Sequence, residues 1–292
     1  VAVYEHSYRR YVGGLTGALD RILIFPRYAY EEILRSKLFL TFMILCLVWS
    51  FVLACLLYVP HNLGFIKAFQ LDPEVVSSTF ANFFNANFFF NYFMLPVGFM
   101  SIILTFVVGP VLVTSDIRNN GLALYFSRPV TRSEYVLGKS LVLVFLLSVI
   151  SWVPGLLLFL FQSYLEGLSW ARDNYRVAVG IFVGSWIWIA VLSLISLALS
   201  AYVKWKPVAR LSLFLIFFVA GGMAGVINLM LRTDWGSVIN IVDMMHVIWA
   251  RLFGIEPLSS TPLWVAFVSP LLFCGVCLVL LARKLRPYEI VR

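Results

Sequence analysis

Charge is scarce in this sequence. Only 12% of its 292 residues are Asp, Glu, Lys or Arg, about half the roughly 25% of a typical soluble domain, which excludes an ordinary water-soluble globular protein. Four cysteines in so long a chain cannot staple a disulfide scaffold. No His-Glu-x-x-His zinc helix and no Gly-x-Ser-x-Gly nucleophile elbow occurs, so two common hydrolase designs are missing. Gly138-Lys139-Ser140 has the tail of a phosphate-binding loop, but the Gly required five residues earlier is Ser133 and no strand precedes it. The chain therefore carries no ATP site of its own and is not expected to be an enzyme. What it does have is 62% apolar residues, 16% aromatics and a mean hydropathy of +0.94. That composition excludes disorder and leaves a polytopic membrane protein.

A hydrocarbon core about 30 Å thick needs roughly 20 apolar residues at helical rise. Six stretches free of charge are long enough: 38–66, 75–115, 140–165, 177–203, 211–231 and 257–282. Ser and Asn crowd the start of the second, where they would be costly in lipid. Trimmed accordingly, the spans are expected near 38–59, 91–113, 140–163, 178–202, 210–231 and 262–281. Phe83, Phe84, Phe88, Phe89, Phe90 and Tyr92 are expected at the headgroups just before span two. The organisation is thus a lead-in over 1–37, a six-span domain over 38–281 and a tail over 282–292. The first span is too long for a signal-peptide core and reads as a retained anchor. Position 1 is Val, so an initiator Met or a longer start is expected upstream of this numbering.

The few charges are placed unevenly. Segments 1–37, 114–139, 203–210 and 282–292 hold 17 of the 22 Lys and Arg, while Asp and Glu divide seven and seven between the two sides. The first side is net +10 and the other net −2. The positive-inside rule then puts both termini in the cytoplasm, with the chain expected to be multi-pass in the plasma (inner) membrane. The basic pI near 9.4 is a topology signal, and nucleic acid is not an expected partner.

Residues 15–36 read as an amphipathic helix on the membrane surface, with Leu15, Leu19, Ile22, Leu23, Tyr30, Ile33 and Leu34 on the apolar face and Pro26 kinking or dividing it. A plain anchor helix and a transporter elbow helix are both open. The segment 232–261 is again amphipathic and too interrupted by polar residues to span, so it is expected at the membrane surface like 15–36; within it Asp243 and His246 are three apart and share a face, but two groups do not make a metal site. No metal or cofactor is expected on this chain. Cys274 and Cys277 have redox-type spacing inside the last span, where no electropositive activation exists; helix packing explains them and Cys46 and Cys55 better. The spans hold almost no ionisable residue at depth, whereas ion-coupled carriers mark their path with such groups. If this protein moves something, a partner supplies the energy. Trp186, Trp188, Phe182 and Asn228 are weak candidates for substrate contact, and lipid-facing or packing roles account for them as well.

The loop between spans two and three is the informative segment. Asn119-Asn120-Gly121 reads as a turn or helix start, Leu122 to Ser127 as a short apolar helix, and Pro129 as its stop. Thr131-x-x-Glu134 is a capping box that starts the next helix. Apolar Leu122, Leu124, Tyr125 and Phe126 on the wet side of a membrane suggest a docking surface; a capped connector joining two helices is the plainer reading.

The order Asp116-x-Arg118-x-x-Gly121-x-x-x-x-x-Ser127-x-Pro129-x-x-Arg132-x-x-Tyr135-x-x-Gly138-Lys139 resembles the corresponding loop of ABC-2 type transporter permeases, the membrane subunits of ATP-binding cassette exporters. The six spans and the basic Arg35-Ser-Lys37 agree with it. The resemblance implies an all-α membrane fold of six helices with an N-terminal elbow helix and a cytoplasmic coupling helix. It implies separate ATPase subunits, which would hold the ATP and Mg, a second permease chain, and docking through Arg118, Gly121, Leu122, Leu124, Tyr125, Phe126, Ser127 and Arg128. Asn119 and Asn120 stand where the family usually has an acidic residue. An amphiphilic, lipid-like or peptide cargo would suit the apolar spans. The alternatives are an ATP-independent secondary transporter and a membrane scaffold subunit.

Overall fold

The structure is a computed structural model that describes residues 17–62, 72, 83–119, 121, 125 and 131–284. Among these no strand occurs and the regular structure is helical. Helix α1 is Ala18–Leu34. Six further helices are long and apolar enough to cross a membrane, so the chain is a multi-pass membrane protein: α2 Lys37–His61, α3 Ala86–Arg118, α4 Arg132–Glu166, α6 Tyr175–Tyr202, α7 Lys206–Leu231 and α9 Leu263–Lys284. Two shorter helices connect them, α5 Leu168–Asp173 and α8 Ile241–Phe253.

Local chemistry sets the ends. Ser36 caps α2 by accepting from the Phe39 N–H at 3.4 Å, and Asn85 caps α3 by accepting from Asn87 and Phe88 at 2.9 and 3.3 Å, side-chain oxygens satisfying N–H groups that a helix start leaves unpaired. α4 is irregular at Ser151, between Arg132–Ile150 and Trp152–Glu166. Pro154 accounts for this, because it has no N–H to give the Ile150 carbonyl. α8 ends where Gly254 takes φ +75° and Ile255 N–H bonds back to the Ala250 carbonyl at 2.8 Å, a left-handed cap that favours glycine.

α6 is the hub, packed against α3, α4, α8 and α9. Its inward face is rich in serine. Ser200 donates to the Gly109 carbonyl of α3 at 3.3 Å, and Thr114 of α3 donates back to the Ser200 carbonyl at 3.3 Å. Small polar residues let the two backbones approach, as membrane helices do when lipid removes any hydrophobic preference between them. Burial falls away from this hub: 67% of the most apolar window of α3 is buried, against 22% for α2 and 17% for α7. The apolar outer faces of α2 and α7 are suited to lipid.

Three expectations are refined. Phe84, Phe88, Phe89 and Phe90 are buried in the protein interior, Phe89 against Trp170 and Phe90 against Phe253. A π-helical turn over Phe89–Met94 widens the helix there, so neighbouring rings reach the interior together. Pro26 does not divide α1, which is continuous from Ala18 to Leu34. Its buried face is built on Phe25, Pro26 and Ile33, while Leu19, Leu23 and Leu34 are exposed. Finally, α8 is no surface-lying helix: Met244, Met245, Ile248, Trp249 and Phe253 are buried between α6 and α9.

Candidate functional site

The end of the bundle where α3 stops and α4 begins carries the densest polar network among the described residues. Asp116, in the last turn of α3, accepts the Tyr135 hydroxyl at 2.8 Å and pairs with the Lys139 ammonium at 2.8 Å, both on the same carboxylate oxygen. The Lys139 and Asp116 side chains are only 10% and 14% exposed. A charge pair so little hydrated is strongly coupled, and removing one partner would strand the other. α3 and α4 are thereby tied together on both sides of the loop that joins them.

α4 starts with the expected capping box: Thr131 N–H donates to Glu134 Oε2 at 2.7 Å and Glu134 N–H donates to Thr131 Oγ1 at 3.3 Å. The second oxygen of Glu134 takes Arg21 Nη2 of α1 at 2.8 Å. One carboxylate therefore caps α4 and holds α1. Beside it, the Phe25 ring meets Tyr125 at 5.4 Å and Tyr135 at 5.5 Å, both edge to face, the favoured arrangement of aromatic quadrupoles. Burial first, and then the nearby Asp116 charge, raise the Tyr125 phenol above its ordinary pKa, so it stays neutral.

Gly138 makes the approach of α1 possible. A Cβ there would come within 2.6 Å of Phe25 Cδ2 and 3.0 Å of the Ile22 carbonyl. That carbonyl is the one Pro26 leaves without its helical donor. The proline and the glycine are thus two halves of one contact.

Of the residues expected to dock a partner, Arg118 is exposed at the end of α3, and Gly121 and Tyr125 are both helical and half-buried. Leu122, Leu124, Phe126, Ser127 and Arg128 lie outside the described residues. Tyr125 turns its ring inward onto Phe25 and Tyr135. The residues that hold the loop, namely Arg21, Phe25, Asp116, Glu134, Tyr135 and Lys139, were not on the expected docking surface. Asp116, Tyr135 and Lys139 did stand in the loop pattern at positions 19 and 23 apart, spacing that in itself carries no hint of contact.

At the opposite end, Asp243 and His246 line a cavity of about 380 Å³ with Trp188 and Trp249. His246 lies edge-on to Phe90 at 5.2 Å, and burial lowers its pKa. Among the described residues no group of three His, Cys, Asp or Glu comes together as a metal site would need. Trp188 is buried and donates to the Gly98 carbonyl at 3.2 Å, and Asn228 bonds Ser237 Oγ and Gly236 N–H at 2.9 and 2.7 Å; both hold structure. Trp186 and Phe182 are partly exposed beside Trp152. No protein-family model and no curated protein matches the sequence.

Proposed function

We propose that the chain is the membrane subunit of an ABC-2 type exporter, with both termini cytoplasmic, paired with a second permease and driven by separate ATPase subunits that carry ATP and Mg. The observation that supports this most is the way the loop after α3 is anchored. Asp116 holds its start, the capping box holds its end, and Arg21 and Phe25 of α1 clamp both. A partner gripping the segment Gly121 to Arg128 would move α1, α3 and α4 as one body, because none can shift without breaking a buried ion pair or an aromatic contact.

ATP binding to the partner would draw the two loops of a permease pair together and shift the helices between two packed states. Such a shift requires that the nucleotide-bound partner favour one state over the other. Leu122, Leu124 and Phe126 supply the apolar docking surface, Arg118 and Arg128 its charged flanks, and Tyr125 the inward anchor. The shortage of buried charge in the spans suits an amphiphilic, lipid-like or peptide cargo.

The test is to look for a Walker-type ATPase in the neighbouring coding sequence and, with such a subunit co-expressed, to measure its co-purification with this chain. Leu124→Asp should abolish it while leaving the permease folded by thermal unfolding. Retention of the ATPase at the wild-type level would remove this surface from the interface, and hydrolysis indifferent to the permease would favour the scaffold reading.

A further inference from the structure

The cavity of about 380 Å³ between α3, α6 and α8, at the end of the bundle away from the loop, is within the size range of small-molecule sites. Trp188 of α6 and Trp249 of α8 are its deepest rings, each 3% exposed. Both indole N–H groups are already taken by backbone carbonyls, that of Trp188 by Gly98 at 3.2 Å and that of Trp249 by Gly184 at 3.1 Å. The indoles therefore offer the cavity ring surface and no donor. Gly98, also in the wall, makes room for this surface, since a Cβ there would fall 2.6 Å from Trp249 Cη2. Phe99, 51% exposed, adds a third ring at the mouth.

The charges in the wall are of one sign. Asp234 and Asp243 line the cavity and no Lys or Arg does. The two carboxylates differ in what they already hold. Asp234 is exposed and accepts from the Ser260 N–H at 3.0 Å and from the Ser260 hydroxyl. Asp243, half-buried in the first turn of α8, has no hydrogen bond and no ion pair among the described residues. His246, one turn further on, also lines the cavity; burial, working against the Asp243 charge, lowers its pKa, so at neutral pH the imidazole brings no counter-charge. Asp243, His246 and Trp249 follow at spacings of three along α8, about 9 Å of rise from first to last. The free carboxylate and the buried rings are thus within reach of one small ligand. An anion would meet two carboxylates, and a neutral apolar molecule would cover Asp243 without compensating its charge. Aromatic rings attract cations through their quadrupole, so the wall that suits an apolar body also favours a positive head.

We infer that this cavity binds an organic ammonium ion carrying an apolar group, with the cationic head against Asp243 and the apolar group on Trp188, Trp249 and Phe99. Asp234 at the mouth adds to the negative field that draws the cation in. The site is built from this chain alone, and it stands apart from the exporter reading.

The experiment is titration calorimetry of the purified full-length protein in an uncharged detergent at neutral pH, with benzyltrimethylammonium, tetramethylammonium or benzylsulfonate as the probe. Benzyltrimethylammonium should bind saturably and about ten-fold more tightly than tetramethylammonium, which lacks the ring. Benzylsulfonate, with the ring and the opposite charge, should not bind. Asp243→Asn keeps the shape of the side chain and breaks no bond, so it should melt as the wild type does and bind benzyltrimethylammonium about ten-fold more weakly. The probe series on the wild-type chain tests the assignment without any variant. Absence of saturable benzyltrimethylammonium binding, equal binding of benzylsulfonate, tetramethylammonium bound as tightly as benzyltrimethylammonium, or wild-type affinity in Asp243→Asn would each overturn it.

Discussion

The two ends of this helical bundle are held by different physics. At the loop end the ties are charged and mutually dependent: Asp116 serves Tyr135 and Lys139 through one oxygen, and Glu134 both caps α4 and holds Arg21. At the opposite end the ties are aromatic. Trp249 packs edge to face on Trp188 at 5.6 Å and donates to the Gly184 carbonyl at 3.1 Å, and Phe90 meets Phe253. The contact between His61 and Glu166 at that end has side chains 25% and 39% exposed and is weak by comparison. Asp234 there is held below the usual carboxylate range by the Ser260 hydroxyl and N–H, a loop tether on the surface. An aromatic core resists rearrangement because any shift opens voids. The charged network at the loop end ties α1, α3 and α4 into one body, so the loop end is where an outside partner could drive a change.

Four measurements break or sharpen this contrast. Trp249→Ala should have the largest effect, a loss of about 3–5 kcal/mol in stability by thermal or denaturant unfolding, since it empties a buried ring site and removes the indole hydrogen bond to the Gly184 carbonyl. Asp116→Ala should cost about 3 kcal/mol by leaving Lys139 unpaired, and the double variant with Lys139→Met should cost less than Asp116→Ala alone. A double-variant cost equal to the sum of the two single-variant costs would show that the pair is not coupled. Gly138→Ala should cost about 1–3 kcal/mol, because the added carbon meets the Phe25 ring and the Ile22 backbone, and it should expose α1 to proteolysis. The smallest effect is pH-dependent. Burial lowers the pKa of His246, so below the ordinary value of about 6.5 the unfolded chain binds a proton that the folded chain resists. Stability is therefore full above that pH and declines as pH falls toward the folded pKa; His246→Gln should flatten this decline.

Most of the architecture was legible in the sequence because lipid imposes simple rules. Runs of 20 or more uncharged residues point to long helices; five of the six trimmed spans fall within a helix of the structure, and the sixth, 262–281, starts one residue before the helix Leu263–Lys284. The capping box at Thr131 was readable because it is local, confined to four residues. The burial of the Phe88 to Phe90 rings was not readable, since a π-helical turn changes which way a side chain faces without changing composition. α8 resembled a surface helix for a similar reason: its alternation of polar and apolar residues looks the same whether the apolar face meets lipid or the α6 and α9 helices. The loop anchor was half visible. Asp116, Tyr135 and Lys139 stood in the pattern, but Arg21 and Phe25 come from a helix more than 90 residues earlier, and only folding brings them together.

The central claim is that this anchor transmits force from a partner to the helices, and ATP hydrolysis by the assembled complex tests it most directly. In Asp116→Asn the outward face of the loop is unaltered while the tie to Lys139 is lost. The ATPase should still co-purify, yet the hydrolysis that depends on the permease should fall by about ten-fold, equivalent to about 1.4 kcal/mol. Permease-dependent hydrolysis at the wild-type rate in a correctly folded Asp116→Asn complex would contradict the account.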